Sequence, residues 1–252
     1  MTDKLKMENM TVLNTVDTID GLGGGISDID VLQSIFGPPQ VDILNRQLEW
    51  ILNEVQDVPG DIVELGVHTG NNAGQFMWFA PGRRYIGFDT FKGYTKADIK
   101  NDPNKEELLQ NKGRWEYDKN KTIERLEDLN KKLNQVGRLL LANPDITLIY
   151  DFKIIDGDLK KTLPKAIDEG QIGVVSLLYV DCNAYMPAIK GIESIYPILN
   201  SGGMICIDEH KNGGESKALE EIATKHGLEI FETGFEFMTG VHSNPSKYII
   251  KK

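Results

Sequence analysis

The sequence predicts an α/β fold built on a doubly wound, mostly parallel sheet with helices on both faces. Two observations lead to this prediction. Short apolar runs alternate with segments of helical periodicity along most of the chain, and such alternation is typical of strands joined by crossover helices. The 252 residues are also 40% hydrophobic, which is enough to bury one large core.

The first half of the predicted domain follows the alternation closely. Helical spacing of apolar residues predicts a helix over 41–55, in which the repeated positions are Leu44, Leu48, Ile51, Leu52 and Val55. Pro59 and Gly60 end that helix. Short apolar runs then predict strands over 61–67 and 83–89, with a helix over 71–79 between them.

The second half continues the alternation and ends differently. Apolar runs predict strands over 146–149, 152–155, 174–180 and 204–207, and helical spacing predicts helices over 188–199 and 217–226. The tail over 231–250 is predicted to form a terminal hairpin. The expected sheet is therefore mostly parallel, with an antiparallel strand supplied by the C-terminal hairpin.

Two segments do not fit the alternation. Residues 1–40 are weakly patterned and are interpreted as an N-terminal arm, because their glycine run over 21–25 lacks the strand and helix that a phosphate-binding loop needs. Residues 41–252 are expected to form one domain. Within it, the charged stretch 92–143 holds a predicted helix over 120–136 and is interpreted as a lid or an insertion at a subunit contact, with a solvated decoration left open.

Composition excludes several classes of protein. The net charge of −10 and the pI of about 5.0 argue against a nucleic-acid-binding surface. No apolar stretch approaches the length of about 20 residues that spans a membrane, and the polar start does not look like a signal peptide. With only Cys182 and Cys206, no disulfide framework is expected. A cytoplasmic location is therefore predicted.

Three acidic residues follow two of the predicted strands. Asp181 ends the run 174–180, and Asp208 and Glu209 follow the run 204–207. Ligands of parallel sheets bind outside the carboxyl ends of the strands. Clustered carboxylates are costly unless a cation uses them, and divalent metals prefer oxygen ligands. We therefore predict a metal site from Asp181, Asp208 and Glu209, while the same acids could instead cap the helices that follow.

A second group of residues indicates a nucleotide-like cofactor. Glu64 is followed by a turn that contains Gly66, His68 and Gly70, and glycines let a backbone approach a ligand closely. Asp89 ends the next strand, at about the offset where an acid accepts hydrogen bonds from ribose hydroxyls. The glycine spacing differs from the usual nicotinamide fingerprint.

Together these motifs resemble class I S-adenosylmethionine-dependent methyltransferases, which have a Rossmann-like fold, and within them the TylF/macrocin-type sugar O-methyltransferases. The segment 64–70 resembles their first motif, and 88–94 is similar to their Asp-(Ser/Thr)-Phe-Glu-Gly-Leu signature. Thr162-Leu163-Pro164 matches the segment that follows their adenine motif. The stretches 178–185 and 202–210 look like their metal-binding strand ends. The similarity covers roughly 41–210.

The resemblance implies a chemistry and a set of roles. S-adenosylmethionine would be held by Glu64, Gly66, His68, Gly70, Asp89 and Asp158, the last of which would face the adenine amino group. Mg²⁺ or another divalent cation would be held by Asp181, Asp208 and Glu209. Asp181 would also act as the general base, with His210 as the competing base. The resemblance further implies a homo-oligomer, dimeric or larger.

The acceptor is expected to be a hydroxyl of a sugar-bearing or other small natural product. Departures from the family pattern concern this acceptor most: Cys182 and Asn183 replace a small residue and Asp, Lys92 replaces Glu, and Tyr94 replaces Leu. Two alternatives stay open. A catechol-like phenol or a nitrogen could accept the methyl group on the same fold, or the chain could be a non-catalytic, cofactor-binding partner subunit.

Overall fold

The computed structural model of this chain describes residues 41–80, 82–140, 151–208, 213–233 and 247–252, and within them seven strands form one sheet. These strands are β1 (Asp61–Leu65), β2 (Tyr85–Asp89), β3 (Phe152–Asp156), β4 (Val175–Val180), β5 (Leu199–Ile207), β6 (Phe231–Glu232) and β7 (Lys247–Ile250).

The helices of the described residues lie between these strands. They are α1 (Val41–Glu54), α2 (Asn71–Phe79), α3 (Lys96–Asn101), α4 (Lys105–Gln110), α5 (Lys119–Leu140), α6 (Leu159–Asp168), α7 (Tyr185–Ile195) and α8 (Gly214–His226), with a 3₁₀ turn over Tyr196–Ile198. In this part of the chain, no helix is both long and apolar enough to cross a membrane.

The sheet has the order β3-β2-β1-β4-β5-β7-β6. Strands β1 to β5 pair in parallel, whereas β7 is antiparallel to both β5 and β6. This confirms the predicted α/β class, with its mostly parallel sheet and antiparallel C-terminal hairpin strand. The strand order reverses between β1 and β4, and a reversal of this kind opens a crevice at the carboxyl ends of the strands.

The register brings the ends of four neighbouring strands level with one another. Leu65 pairs with both Phe88 and Val180, and Val180 pairs with Ile207. The next residues continue the alignment, since the Asp181 amide donates to the Leu65 carbonyl at 2.8 Å and the Asp208 amide donates to the Val180 carbonyl at 2.9 Å. Both aspartates are therefore fixed at one edge of the sheet.

The core explains why the strands read as continuous apolar runs. Every residue of β4 is buried, because a central parallel strand is covered on both faces. One cluster packs β1, β2, β4 and β5 against α6, α7 and α8, and its helical members include Leu163, Ile192 and Leu219. The ring of Phe76 in α2 stacks on the ring of Tyr85 in β2, with the ring centroids 6.1 Å apart.

Several predicted boundaries were wrong for identifiable reasons. The helix predicted over 188–199 begins at Tyr185 and ends at Ile195, because Pro197 cannot continue it and Leu199 already belongs to β5. Helix α6 was not predicted at all, since Pro164 and its charged residues obscure a spacing that buries Leu159, Leu163 and Ala166. The strand predicted over 146–149 and the arm over 1–40 lie outside the described residues.

The stretch 92–143 contains more structure than the single helix predicted over 120–136. Helices α3 and α4 precede α5, which begins at Lys119 and continues to Leu140. Leu126, Leu129 and Leu133 of α5 are buried, as their helical spacing predicts. The insertion is therefore a packed, helical part of the structure.

A partly buried arginine connects elements on the amino-terminal side of the sheet. The Arg83 guanidinium donates to Ser176 Oγ at 2.9 Å, to the Val55 carbonyl at 2.7 Å and to the Gln56 carbonyl at 2.6 Å. Burial lowers the pKa of Arg83, with the Asp57 charge opposing that shift. Its hydrogen bonds connect the start of β2 to β4 and to the segment that follows α1.

We expect Arg83→Met to lower the free energy of unfolding by about 2 to 4 kcal/mol, because it leaves these acceptors without their donor. The matched control is Arg84→Met, which removes a partly exposed ion pair with Asp61 and should cost about 1 kcal/mol or less. Urea denaturation followed by circular dichroism measures both. Equal losses in the two variants would contradict the role assigned to Arg83.

Candidate active site

A cavity of about 430 Å³ opens at the carboxyl edge of the sheet, where the strand order reverses. Its floor comes from the residues that follow β1, β2, β3, β4 and β5. Its remaining wall comes from the part of the insertion that lies between β2 and α5. The lining residues from that wall are Gly93, Tyr94, Asp98, Asn104, Glu107, Leu108, Asn111, Arg114 and Trp115.

Most of the predicted site residues meet in this cavity. Those that line it are Gly66, His68, Asp89, Asp158, Asp181 and Asp208. Glu64 and Gly70 do not line it: Glu64 is buried beneath the floor, and Gly70 packs under α5. Glu209 and His210 lie outside the described residues. The structure thus brings the predicted cofactor and metal residues to one place without testing their roles.

Asn72 connects two of the carboxylates. Its Nδ2 donates to Glu64 Oε1 at 3.0 Å and to Asp181 Oδ2 at 3.1 Å. The Tyr85 hydroxyl donates to the other oxygen of Glu64. A side-chain amide carries two hydrogens on nitrogen, and Asn72 donates both of them to carboxylates. The first turn of α2 therefore fixes the position of Asp181.

Burial dominates the electrostatics beneath the floor. It raises the pKa of Glu64 from 4.5 to about 8, although the hydrogen bonds from Tyr85 and Asn72 act in the opposite direction. Burial also raises the pKa of Asp181 well above its usual value, and the charges of Asp208, Glu215 and Glu64 add to that effect. Negative charge is therefore concentrated around Asp181.

Asp208 faces the cavity from the next strand end. Its Oδ1 accepts a hydrogen bond of 2.6 Å from the Tyr179 hydroxyl, and the pKa of buried Tyr179 is raised by burial and by the charge of Asp208. On the other aspartate, Asn183 Nδ2 donates to Asp181 Oδ1 at 3.2 Å. Oxygen atoms from two carboxylates thus face the same space.

The donor chemistry fits a hard divalent cation. Carboxylate oxygens are preferred ligands of Mg²⁺. A cation would also offset the repulsion between Asp181 and the neighbouring carboxylates. The described residues, which leave out Glu209 and His210, contain no group of three or more His, Cys, Asp or Glu residues placed so that it could hold a metal ion. The pair formed by Asp181 and Asp208 is the part of the predicted metal site that the structure describes.

Glu215 supports this strand end from α8 and was missed by the sequence analysis. Its Oε1 accepts hydrogen bonds of 2.6 Å from the backbone amides of both Cys182 and Asn183. Asn183 has a φ of 52°, a conformation that is unusual for a residue other than glycine. Glu215 thus holds the turn after Asp181, although its sequence context shows only an acid near a helix start.

Gly66 has a packing role that the sequence analysis did not predict. We expected it to let the backbone approach a ligand. A Cβ at Gly66, where φ is 98°, would lie 1.8 Å from the Asp181 carbonyl oxygen. The absence of a side chain therefore lets the turn after β1 lie against the backbone of Asp181, in addition to any ligand contact.

Asp89 organises the turns around it. Its Oδ2 accepts from the His68 amide at 2.7 Å, and its Oδ1 accepts from the Phe91 amide at 2.6 Å. His68 has a φ of 47°, and burial lowers the pKa of its imidazole. The predicted ribose acceptor thus also holds the turns that follow β1 and β2.

Asp158 is the N-cap of α6. Its carboxylate accepts from the Lys160 amide at 3.1 Å and lies 3.4 Å from Lys160 Nζ. Lys160 Nζ also pairs with Asp98 of the insertion. Asp158 lines the cavity while these contacts hold it in place.

The insertion is attached to both sides of the cavity. Next to the turn after β1, Thr122 Oγ1 of α5 donates to the His68 carbonyl at 2.7 Å, and the rings of Trp115 and Tyr117 lie 5.6 Å and 5.2 Å from the His68 ring. On the other side, Asp102 accepts from the Tyr185 amide at the start of α7 at 2.7 Å. The wall is therefore anchored to the elements that carry the acids.

Comparison with known proteins agrees with this architecture. The family model described as macrocin-O-methyltransferase (TylF) matches residues 30–231. No curated protein matches the chain. Among solved structures, the calicheamicin methyltransferase CalS11 is 20% identical with a TM-score of 0.61, covering 99% of this chain and 92% of its own.

Two further solved structures share the fold. The O-methyltransferase NovP is 18% identical with a TM-score of 0.60, covering 83% of this chain and 80% of its own. An O-methyltransferase from Bacillus cereus in complex with SAH is 10% identical with a TM-score of 0.53, and the match covers 100% of both chains. At these identities, the likeness to solved structures concerns the fold alone.

Glu64 generates a prediction about stability and pH. Its pKa is about 8 when folded and 4.5 when exposed, so between these values the folded protein binds the extra proton. The free energy of unfolding should therefore fall as pH rises from 5.5 to 8, by about 1 kcal/mol per pH unit from this group. Urea denaturation in EDTA at several pH values measures the slope.

The matched variant is Glu64→Gln, which cannot ionise and keeps a side chain of the same size. We expect the free energy of unfolding of this variant to fall with pH less steeply than that of the wild type. The difference between the two slopes should equal the contribution of Glu64, about 1 kcal/mol per pH unit. Parallel slopes for the two proteins would show that Glu64 does not hold the extra proton.

Proposed function

Because the chain belongs to the macrocin-O-methyltransferase (TylF) family, we propose that it transfers a methyl group from S-adenosylmethionine to a hydroxyl of a sugar-bearing or other small natural product, with a divalent cation such as Mg²⁺ at Asp181 and Asp208. Family membership supports the methyl transfer. The acceptor class and the metal are our proposals.

The observation that carries the acceptor class is the chemistry of the insertion wall. Its cavity-lining side chains are mainly polar, with the aromatic rings of Tyr94 and Trp115 among them. Hydroxyl-rich acceptors suit such a surface, whereas a catechol-like phenol would fit a narrower, apolar slot. The solved relative CalS11 is described as a TDP-rhamnose 3'-O-methyltransferase, and a sugar acceptor is the class that we propose here.

The cofactor would occupy the part of the cavity next to β1, β2 and β3. Gly66 and His68 would face its methionine portion, Asp89 its ribose and Asp158 its adenine. When bound, S-adenosylmethionine supplies an electrophilic methyl group on a sulfonium. The hydrogen bonds of Asp89 to the amides of His68 and Phe91 hold the two cofactor turns in place before the ligand arrives.

The metal would be held by Asp181 and Asp208, with Glu209 as the proposed third ligand. A bound divalent cation supplies a Lewis acid, which lowers the pKa of a hydroxyl at the site. Asn72 and Tyr179 orient the two aspartates through the hydrogen bonds at 3.1 Å and 2.6 Å. These hydrogen bonds would hold the carboxylate oxygens in the orientation that binds a single metal ion.

Asp181 is the proposed general base. In the proposed reaction, Asp181 would take the hydroxyl proton at a carboxylate oxygen while the acceptor oxygen displaces the thioether and bonds to the methyl carbon that S-adenosylmethionine would supply. Asn72 restrains that carboxylate, and the insertion wall limits the access of water and positions the acceptor for in-line attack. His210 remains the competing base.

We expect Asp181→Asn to reduce turnover by about 10³-fold or more, because the amide can neither accept the proton nor carry the charge. Binding of S-adenosylhomocysteine, measured by calorimetry, should stay within about threefold. The control is Asp168→Asn on an exposed part of α6, which should leave both unchanged. Methyl transfer is followed on a panel of deoxysugar-bearing acceptors. Full activity of the Asp181 variant would refute its role as base.

Metal removal tests the second part of the proposal. EDTA should abolish turnover and Mg²⁺ should restore it, while Asp208→Asn should weaken Mg²⁺ binding by about tenfold or more. Calorimetric titration of Mg²⁺ into protein saturated with S-adenosylhomocysteine measures the affinity. If methyl transfer persists in EDTA, the acidic pair is structural.

A further inference from the structure

The side-chain amide of Asn183, which lines the cavity, makes one hydrogen bond within the described protein. Its Nδ2 donates to Asp181 Oδ1 at 3.2 Å. A side-chain amide carries two hydrogens on nitrogen and an accepting oxygen. No donor among the described residues bonds Asn183 Oδ1, and that oxygen is not buried. One donor hydrogen and one acceptor oxygen of this amide are therefore available to a ligand.

The backbone at Asn183 is fixed in an uncommon conformation. Its φ of 52° lies in the left-handed region, which glycine adopts most easily. Glu215, which is 1% exposed, holds this turn by accepting hydrogen bonds of 2.6 Å from the amides of Cys182 and Asn183. Glycine would satisfy the turn at a lower cost, so the turn alone does not account for a side chain at this position.

Asn183 also lies beside the proposed general base. Asp181 accepts from Asn72 at Oδ2 and from Asn183 at Oδ1. A hydroxyl that passes its proton to Asp181 must contact this carboxylate. Because Asn183 Nδ2 is within hydrogen-bond distance of the same carboxylate, a second group on a neighbouring carbon of the acceptor comes within reach of the Asn183 amide.

The chemistry of a side-chain amide suits a hydroxyl group. A hydroxyl donates one hydrogen bond and accepts others, and an amide offers the matching acceptor and donor. The family pattern has Asp where this chain has Asn183, and an ionised carboxylate only accepts hydrogen bonds. Asn183 therefore adds a donor and removes a negative charge next to Asp181 and Asp208, which also line the cavity.

We propose that Asn183 determines acceptor specificity by binding a second hydroxyl of the acceptor, on a carbon next to the one whose oxygen is methylated. This inference rests on the proposed function. Asn183 Oδ1 accepts from that second hydroxyl, while the hydrogen bond from Nδ2 keeps Asp181 in position. Sugars with two neighbouring hydroxyls are then better acceptors than their deoxy analogues, in which the second hydroxyl is missing.

The test combines acceptors and variants in one cycle. Methyl rhamnoside, which carries neighbouring hydroxyls, and its monodeoxy analogues, each lacking one of them, are the acceptor probes at saturating S-adenosylmethionine and Mg²⁺. Asn183→Gly removes the side chain and keeps a residue that adopts the observed φ. Asn183→Asp keeps an accepting oxygen. Asn120→Gly is the control, since Asn120 is exposed at the start of α5 and does not line the cavity.

Wild-type kcat/KM should be lower by about tenfold or more for the analogue that lacks the recognised hydroxyl. Asn183→Gly should raise KM for methyl rhamnoside and reduce that preference to about twofold or less, because the two losses are not additive when the groups are in contact. Asn183→Asp should keep most of the preference. Asn120→Gly should behave as the wild type.

The inference is overturned if Asn183→Gly lowers kcat/KM by the same factor for every sugar, since the amide would then only hold Asp181. It is also overturned if Asn183→Gly weakens Mg²⁺ binding, measured by calorimetry, by about tenfold or more, because the amide would then be a metal ligand. Failure of the proposed function looks different: wild-type protein binds no S-adenosylhomocysteine or methylates none of the sugars, and the inference falls with it.

Discussion

The concentration of carboxylates at the carboxyl edge of the sheet is the constraint on which the rest of the structure depends. Glu64, Asp181, Asp208 and Glu215 all act on the same small region, since each of the other three raises the pKa of Asp181. Like charges in a partly buried site are costly. The surrounding elements must therefore supply donors or protons, and the arrangement of the site follows from how they do so.

Hydrogen-bond donors to these acids come from several elements of the fold. Asn72 of α2 and Tyr85 of β2 donate to Glu64, Tyr179 of β4 donates to Asp208, and the backbone after β4 donates to Glu215. Glu64 reduces the cost further by holding a proton near neutral pH. Asp181 accepts from Asn72 and Asn183, yet burial and the charges of three neighbouring acids still raise its pKa well above the usual value, which suits a residue that accepts a proton or binds a cation.

The sequence allowed prediction of those features that are local. Apolar runs that end in Asp89, Asp181 and Asp208 are visible in the chain, and a parallel sheet must bring such ends to one edge. The partners could not be predicted, because they are distant: Asn72 and Asp181 are 109 positions apart, and Asn183 and Glu215 are 32 apart. No periodicity or motif encodes that pairing.

The same difference separates the two halves of the cavity. The acids lie at strand ends, where backbone register fixes them, whereas Tyr94, Arg114 and Trp115 lie on an insertion whose fold depends on its own caps and contacts. His68 joins the halves, since its amide donates to Asp89 and its carbonyl accepts from Thr122 of α5. Side chains of the wall can therefore change what the cavity accepts without moving the carboxylates, provided that the attachment at His68 is kept.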